Sequence, residues 1–314
     1  MGCDAQVPPT SPVPAPAGRA GVAALVGRAN VGKSSLVNAL VGEKVSIVSP
    51  VAQTTRHRIR AVLNEPRGQL VLLDTPGILR AESELGRRLN RTARQTAEEV
   101  DAVVLTLDVS QPPREEDEGW MRRFRRAAIP LVFALNKADL GRDGEKAIRT
   151  LWGRVATEPD APQPAWAVCS AATGEGLDAL RGLLFERLPA GPPLFPPDVL
   201  SDFPRKLFIA DVIREKLFGR LRDELPHRVA VEVQEVRETD DGALEVAADI
   251  WVERGSQKPI VIGHKGRVLR AVRRAAAAEL SALYERPVGL DLHVTVREHW
   301  TRNHWLLKRL GLDL

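Results

Sequence analysis

Eight residues limit this chain more than any others: Gly27-Arg28-Ala29-Asn30-Val31-Gly32-Lys33-Ser34. They follow the apolar run GVAALVG and lead through Ser35 into a segment with helical spacing. The pattern is GxxxxGK[ST], in which glycines let backbone N–H groups curl around phosphate oxygens and the helix N-terminus adds positive potential. Lys33 is placed to reach the outer phosphates, and the Ser34 hydroxyl to ligate Mg²⁺. Such a loop needs a strand behind it and a helix ahead of it. Five more apolar runs come after it, IRAVLNE, LVLLDTPG, AVVLTLDVS, PLVFALNKAD and AWAVCSAA, separated by polar stretches long enough for helices. Continuous apolar strands of this kind predict a mostly parallel sheet with helices on both faces, its ligand beyond the carboxyl ends of the strands.

Those ends carry the chemistry. Asp74-Thr75-Pro76-Gly77 closes one run, where a carboxylate can hold Mg²⁺ through water and the Gly77 N–H can sense a γ-phosphate. Asn136-Lys137-Ala138-Asp139 closes another; the Asp139 carboxylate matches the N1–H and 2-amino donors of guanine, and the Lys137 stem can cover the base. CSAATG, starting at Cys169, offers the Ser170 and Ala171 backbone donors to the guanine carbonyl. In this order, each at a strand end, the motifs resemble the GTPase superfamily. The resemblance implies an α/β P-loop GTPase domain that binds GTP and GDP with Mg²⁺. Gly27 to Ser35, Asp74 to Gly77, Asn136, Lys137, Asp139, Ser170 and Ala171 would form the nucleotide site, with Lys33, Thr55 and Gly77 at the reacting phosphate.

Between the first two motifs lies VAQTTRHRIRAV, and its QTTRHR narrows the resemblance to the Era branch. It implies that Thr55 is the switch threonine joining Ser34 and Asp74 on Mg²⁺, with Thr54 as the alternative. Ile78 stands where Ras-like enzymes carry a water-orienting glutamine, so slow intrinsic hydrolysis is expected. Asn30 sits where potassium-dependent relatives hold K⁺, a cation that would supply the charge an arginine finger gives elsewhere; the competing reading is a plain turn former. Family loops usually read GRPNVGKS, and Ala29 replaces the proline without removing a ligand.

From Leu188 to Pro204 repeated prolines exclude helix and sheet interior, which predicts a stiff linker. Beyond it RKLFIADVIREKLF has helical spacing, VAVEVQEV and LEVAADIWVE flank the turn signal Asp240-Asp241-Gly242, and LDLHVTVR alternates again. A small α+β domain with a half-exposed antiparallel sheet is expected. Within it VIG leads into a second loop, Gly263-His264-Lys265-Gly266, and then a helix that opens with Arg267 and Arg270. The loop lacks a GK[ST] ending, so it should not grip a nucleoside triphosphate. Seven basic residues (Arg254, Lys258, Lys265, Arg267, Arg270, Arg273 and Arg274) and no acidic one lie between Arg254 and Ala278. The arrangement resembles the type II KH domain of Era, whose GXXG loop clamps about four nucleotides of backbone. Lys258, Gly263, His264, Lys265, Gly266, Arg267 and Arg270 are the RNA-binding residues this implies. His264 has no metal-ligand partners at suitable spacing, and core packing is the expectation for Trp251, Trp300 and Trp305.

The domains therefore read as a proline-rich, disordered tail over 1–18, a GTPase domain over 19–188, a linker over 189–204 and a KH domain over 205–314. The net charge of +4 is too small to argue for RNA by itself; the focused basic window does. Cys3 and Cys169 have neither CxxC spacing nor histidine neighbours, which argues against zinc or a disulfide framework and for a reducing cytoplasm. No run approaches the ~20 apolar residues needed to span a bilayer, leaving at most a peripheral membrane-associated fraction. Resemblance to Era implies a monomer that binds the 3′ end of small-subunit (16S) ribosomal RNA and assists 30S subunit assembly, its GTP state controlling association and release. Two other classes remain open: a GTPase switch serving an RNA-modification complex, and a non-catalytic GTP-dependent RNA scaffold.

Overall fold

The computed structural model describes residues 18–51, 54–77, 84–97 and 99–312. The proposed tail up to residue 17 and Ile78 lie outside them. The first half is built from β1 (Arg19–Val26), α1 (Lys33–Val41), β2 (Ile59–Glu65), β3 (Gly68–Asp74), α2 (Glu84–Thr96) and β4 (Ala102–Asp108). It continues through α3 (Glu115–Phe124), β5 (Leu131–Asn136), α4 (Glu145–Val155), β6 (Ala165–Val168) and α5 (Leu177–Phe185). The six strands form one sheet in the order β2-β3-β1-β4-β5-β6. Every pairing is parallel except β2 with β3 at the edge. Burial explains the composition: all residues of β4 and β5 are buried, because helices cover both faces. One core places Leu36, Leu40 and Leu180 against Leu25 and Leu72; the other places Trp120, Phe124 and Trp152 against Val26, Leu105 and Phe133. β1 has β3 on one side and β4 on the other, so the strand order reverses there, and the phosphate loop leaves the sheet at that point.

The second half comprises α6 (Arg205–Phe218), β7 (Val229–Glu238), β8 (Leu244–Val252), α7 (Lys258–Ile262), α8 (Arg267–Tyr284), β9 (Val288–Val296) and the short α9 (His304–Arg309). Leu244, Val246, Ala248, Ile250 and Val252 share the buried face of β8, as the alternation predicts, with Leu290, Leu292 and Val294 of β9 beside them. α6 and α8 cover that face. The sheet departs from expectation in one respect: β9 runs parallel to β8, pairing Leu244 with Val288 through Val252 with Val296, so the sheet is mixed rather than antiparallel. The connection through α7 and α8 is a helical crossover, which returns the chain in the same direction.

The proline-rich segment is tied to the first sheet along its length. The Ala20 N–H donates to the Pro189 carbonyl, the Leu194 and Phe195 N–H groups to Oε1 of buried Gln69, and the Val62 N–H to the Leu200 carbonyl. Ser201 pairs with Ala61 as a single β-bridge. The last two contacts cover part of the open side of β2, an edge strand that would otherwise present bare backbone.

Candidate functional site: a phosphate loop and its coupling to a GXXG loop

Gly32 starts α1 with φ +92° and no side-chain cap, so the first N–H groups of the helix face the loop. A Cβ there would come within 2.4 Å of Asn136 Nδ2, so a glycine is required where the phosphate loop touches the base-reading segment. Lys33 is buried and its Nζ donates to the carbonyls of Gly27 (3.3 Å) and Arg28 (3.0 Å). Burial lowers its pKa to about 8 against the opposing charge of Asp74. Ala29, Asn30, Gly32, Lys33, Ser34 and Gly77 border the same small cavity beside the loop. Val31 is buried, its carbonyl accepting from Asn136 Nδ2 at 2.9 Å; Ser35 faces the cavity and Thr75 Oγ1 donates to the Leu25 carbonyl at 2.7 Å. Pro76 sits between Thr75 and Gly77 at the end of β3 without a side-chain hydrogen bond to offer.

Three side chains from separate elements meet at this cavity. Ser34 Oγ donates to Asp74 Oδ2 at 2.6 Å and lies 2.8 Å from Thr55 Oγ1, which is itself 3.5 Å from Asp74 Oδ2. Thr54 instead donates to the Val51 carbonyl, so of the two threonines Thr55 is the one brought to the metal position. Asp74 is fully buried, its other oxygen, Oδ1, has no hydrogen-bond partner among the described residues, and burial raises its pKa. A buried carboxylate with a free oxygen beside two hydroxyls is a hard, oxygen-only donor set and fits Mg²⁺. Asn30 Nδ2 donates to the Pro50 carbonyl at 2.9 Å, with φ +64°, a residue tying the loop to the next segment as well as facing the cavity.

At the base-reading end, Asn136 bridges Val31 and the Ala171 N–H, whose distance to Asn136 Oδ1 is 3.0 Å. Ser170 Oγ donates to Asp139 Oδ1 at 2.5 Å. The Ser170 and Ala171 N–H groups, expected to face a carbonyl ligand, are engaged within the protein, with Glu175 and Asn136 respectively. Lys137 Nζ is held by Asp108 at 2.8 Å.

Sequence reasoning missed the roles of the two residues after Thr55. Arg56 is buried in the second domain, its guanidinium donating to the Val229 carbonyl at 3.0 Å and lying over the Trp300 ring. His57 Nε2 is 2.9 Å from the Leu310 carbonyl, and its Nδ1 is 3.6 Å from Asp211 on α6. Ile47 enters the second domain's core, Lys44 pairs with Glu215 and Glu279, and Leu85 and Leu89 of α2 pack against Trp300, Leu307 and Leu310. Adjacent residues thus face the metal position and the second domain. Polar residues in a loop read as solvated; only the covering domain makes Arg56 and His57 internal. Burial alone would raise the pKa of Asp211, but Arg214 and His57 overcome it and hold the carboxyl at about 2. A depressed carboxylate stabilises the fold above its unfolded pKa and loses that contribution as pH falls through the folded value. Acid unfolding between about pH 4 and pH 2 should therefore remove on the order of 2 kcal/mol, and Asp211→Asn should flatten that limb in pH-resolved unfolding curves.

The GXXG loop is held by its own backbone, Gly263 N–H to the Pro259 carbonyl and Gly266 N–H to the Gly263 carbonyl, and both glycines have positive φ. Lys258, His264, Lys265, Arg267 and Arg270 are exposed, as are Arg254, Arg273 and Arg274. None of these side chains is paired with a carboxylate within the described residues. Trp251 and Trp300 are core residues, but Trp305 is 62% exposed on α9, whose neighbouring Leu306 and Leu307 are the residues packed against the core. Among the described residues there is no acidic, histidine and cysteine cluster that could hold a metal by itself, and burial pushes the Cys169 thiol up to about 12.

Residues 22–137 match the family described as a 50S ribosome-binding GTPase, and residues 224–301 match the KH domain family. GTPase Era of Geobacter metallireducens is 40% identical over 93% of this chain and 97% of its own. The chain belongs to the Era family of GTPases. Era of Synechocystis is 41% identical over 95% of this chain and 94% of its own. The fold agrees with an Era crystal structure in complex with MgGDPNP and nucleotides 1506–1542 of 16S ribosomal RNA, with TM-score 0.86 and 35% identity over 95% of this chain and 100% of that one. A variant of Aquifex aeolicus Era bound to GDP·AlF4⁻ matches with the same TM-score and identity over 94% of this chain and 100% of that one.

Proposed function

We propose that this Era-family chain binds GTP and GDP with Mg²⁺ at the phosphate loop, hydrolyses GTP slowly, and binds the 3′ end of small-subunit ribosomal RNA through its GXXG loop during 30S assembly. The observation that carries the reading is the adjacency of Thr55, at the oxygen cluster of Ser34 and Asp74, to Arg56 and His57, seated in the KH domain. The nucleotides bound by the two full-length structural relatives support the ligand, and the RNA fragment bound by one of them supports the partner.

In this reading Ser34, Thr55 and Asp74 hold Mg²⁺, which neutralises charge on the β- and γ-phosphates. Lys33 leaves the Gly27 and Arg28 carbonyls for phosphate oxygens, and the Gly77 backbone lies against Ala29 and Lys33, where a γ-phosphate would displace it. Asp139 reads the guanine edge. Because Thr55 and Arg56 belong to one segment, loss of the γ-phosphate would pull on the KH domain and change how it holds RNA. Asn30 would contribute to a K⁺ site, and the protein would act as a monomer in the cytoplasm. No helix among the described residues is long and apolar enough to cross a membrane, so any contact these helices make with a bilayer would be peripheral.

Multiple-turnover phosphate release, measured with K⁺ or Na⁺ and with or without a 16S 3′-end RNA, tests the reading. Turnover that rises with K⁺ is expected. Stoichiometric binding without turnover under every condition would leave only the scaffold alternative, and equal RNA affinity in GDP and GTP-analogue states would remove the coupling.

A further inference from the structure

Arg28 is the second residue of the phosphate loop, and its side chain does not join the cavity that the loop borders. It turns the other way and is buried. Its Nε donates to Asp117 Oδ2 at 3.0 Å, in the first turn of α3, and its Nη2 lies 3.8 Å from Asp108 Oδ2 at the end of β4. Asp108 also takes a hydrogen bond from Lys137 Nζ at 2.8 Å, from Gln111 Nε2 at 2.6 Å and from Ser110 Oγ at 2.6 Å. Burial would raise Asp108, but these donors outweigh it and hold its carboxyl below the usual value. Two cations and two carboxylates therefore form one chain, running from α3 through the phosphate loop to the lysine of the base-reading segment.

Breaking one member of a buried ion pair leaves its partner charged and unsolvated, so such a chain resists separation of the elements it joins. Here those elements carry the two ends of one ligand site. The loop begins where Gly27 packs so closely on β4 that a Cβ would sit 2.5 Å from the Thr106 carbonyl, and Arg28 is the next residue. A second tie between loop and base-reading segment is the bond from Asn136 to Val31, on the opposite side of the loop from Arg28 in sequence.

We propose that Arg28, Asp117 and Asp108 are positioning residues that hold the phosphate loop in register with Lys137 and so set how long a guanine nucleotide stays bound. None of the three side chains touches a reacting atom in this role. The inference rests on the nucleotide-site reading and adds the residues that govern release.

The test uses full-length protein with fluorescent GDP and a non-hydrolysable GTP analogue, reading dissociation rates by competition. Asp117→Asn keeps the shape and the Arg114 N–H bond but removes the charge that faces Arg28. It should release both nucleotides about tenfold faster, with KM for GTP raised and kcat at saturating GTP retained. Adding Asp117→Asn to Arg28→Met should accelerate release no further than Arg28→Met does alone, because the two act as a pair. A purely structural brace would lower the melting temperature and leave release untouched. Wild-type release rates in Asp117→Asn, whatever happens to melting, overturn the proposal, as do fully additive effects in the pair. Should Asp117→Asn fail to fold, Asp117→Glu, which keeps the charge but displaces it, supplies the same reading: wild-type release overturns, faster release supports. Failure of the wild-type protein to bind guanine nucleotide at all would instead sink the underlying site assignment.

Discussion

Lys33→Ala is expected to weaken guanine nucleotide binding by about a thousandfold and to leave the folded protein no less stable. The ammonium would make two charge-assisted hydrogen bonds to phosphate oxygens, each worth about 2 kcal/mol, and together these correspond to about three decades in affinity. Stability should hold because burial already disfavours the cation at Lys33, depressing its pKa to about 8, and because its present partners are carbonyls that can turn to water. Nucleotide titration beside thermal unfolding checks both halves. Affinity within about threefold of wild type would show that the lysine does not reach phosphate. RNA binding by the same variant, measured without nucleotide, should persist, since the hydrogen bonds of Lys33 stay within the phosphate loop.

The second large effect is expected from reversing charge on the other loop. His264→Asp with Lys265→Asp should lower affinity for a single-stranded 16S 3′-end RNA by at least about tenfold at low salt and reduce the salt slope by about one. Both side chains are exposed and engage no partner among the described residues, and the φ of +50° at Lys265 suits aspartate better than most residues. The double variant should therefore fold. Gly263 is a poorer target: a Cβ there would lie 2.5 Å from Val268 Cγ2 on α8, so lost binding would report a damaged loop. Wild-type RNA affinity in the double variant would move the RNA elsewhere on the domain.

Much of the molecule is legible in its sequence, and for a definite reason. A phosphate loop, DTPG and NKAD each sit at a strand end, and continuous apolar runs of this length read as strands covered on both faces, so the first domain emerges from local pattern. The inward residues of β8 and β9 are equally readable, because a period of two names a face. It does not name a direction, and LDLHVTVR is compatible with either; the parallel pairing of β9 is settled by the helical crossover before it. Arg28, Arg56 and His57 are illegible for a different reason. Charged residues in loops face water unless something covers them, and here α3 covers the first while the KH domain covers the other two. QTTRHR carries the missed signal, since the metal position explains its threonine and leaves Arg56 and His57 without a role. Trp305 errs in the opposite sense, as an apolar side chain left exposed on a helix that buries Leu307 instead.

The bonds between the proline-rich segment and the first sheet have a practical bearing on dissecting the molecule. A fragment ending at Leu188 would strip the partners from the Gln69 side-chain oxygen and from the Val62 N–H, and would expose the outer edge of β2 to pairing with a second chain. An excised nucleotide-binding fragment should keep the chain through Phe203, where the Ser201 hydroxyl still donates to the Arg60 carbonyl and accepts from the Phe203 N–H. By the same token, inserting flexible residues after Phe203 would lengthen the tether between the halves, whereas inserting them near Gly191, whose N–H donates to the Gly18 carbonyl, would loosen only the start of β1.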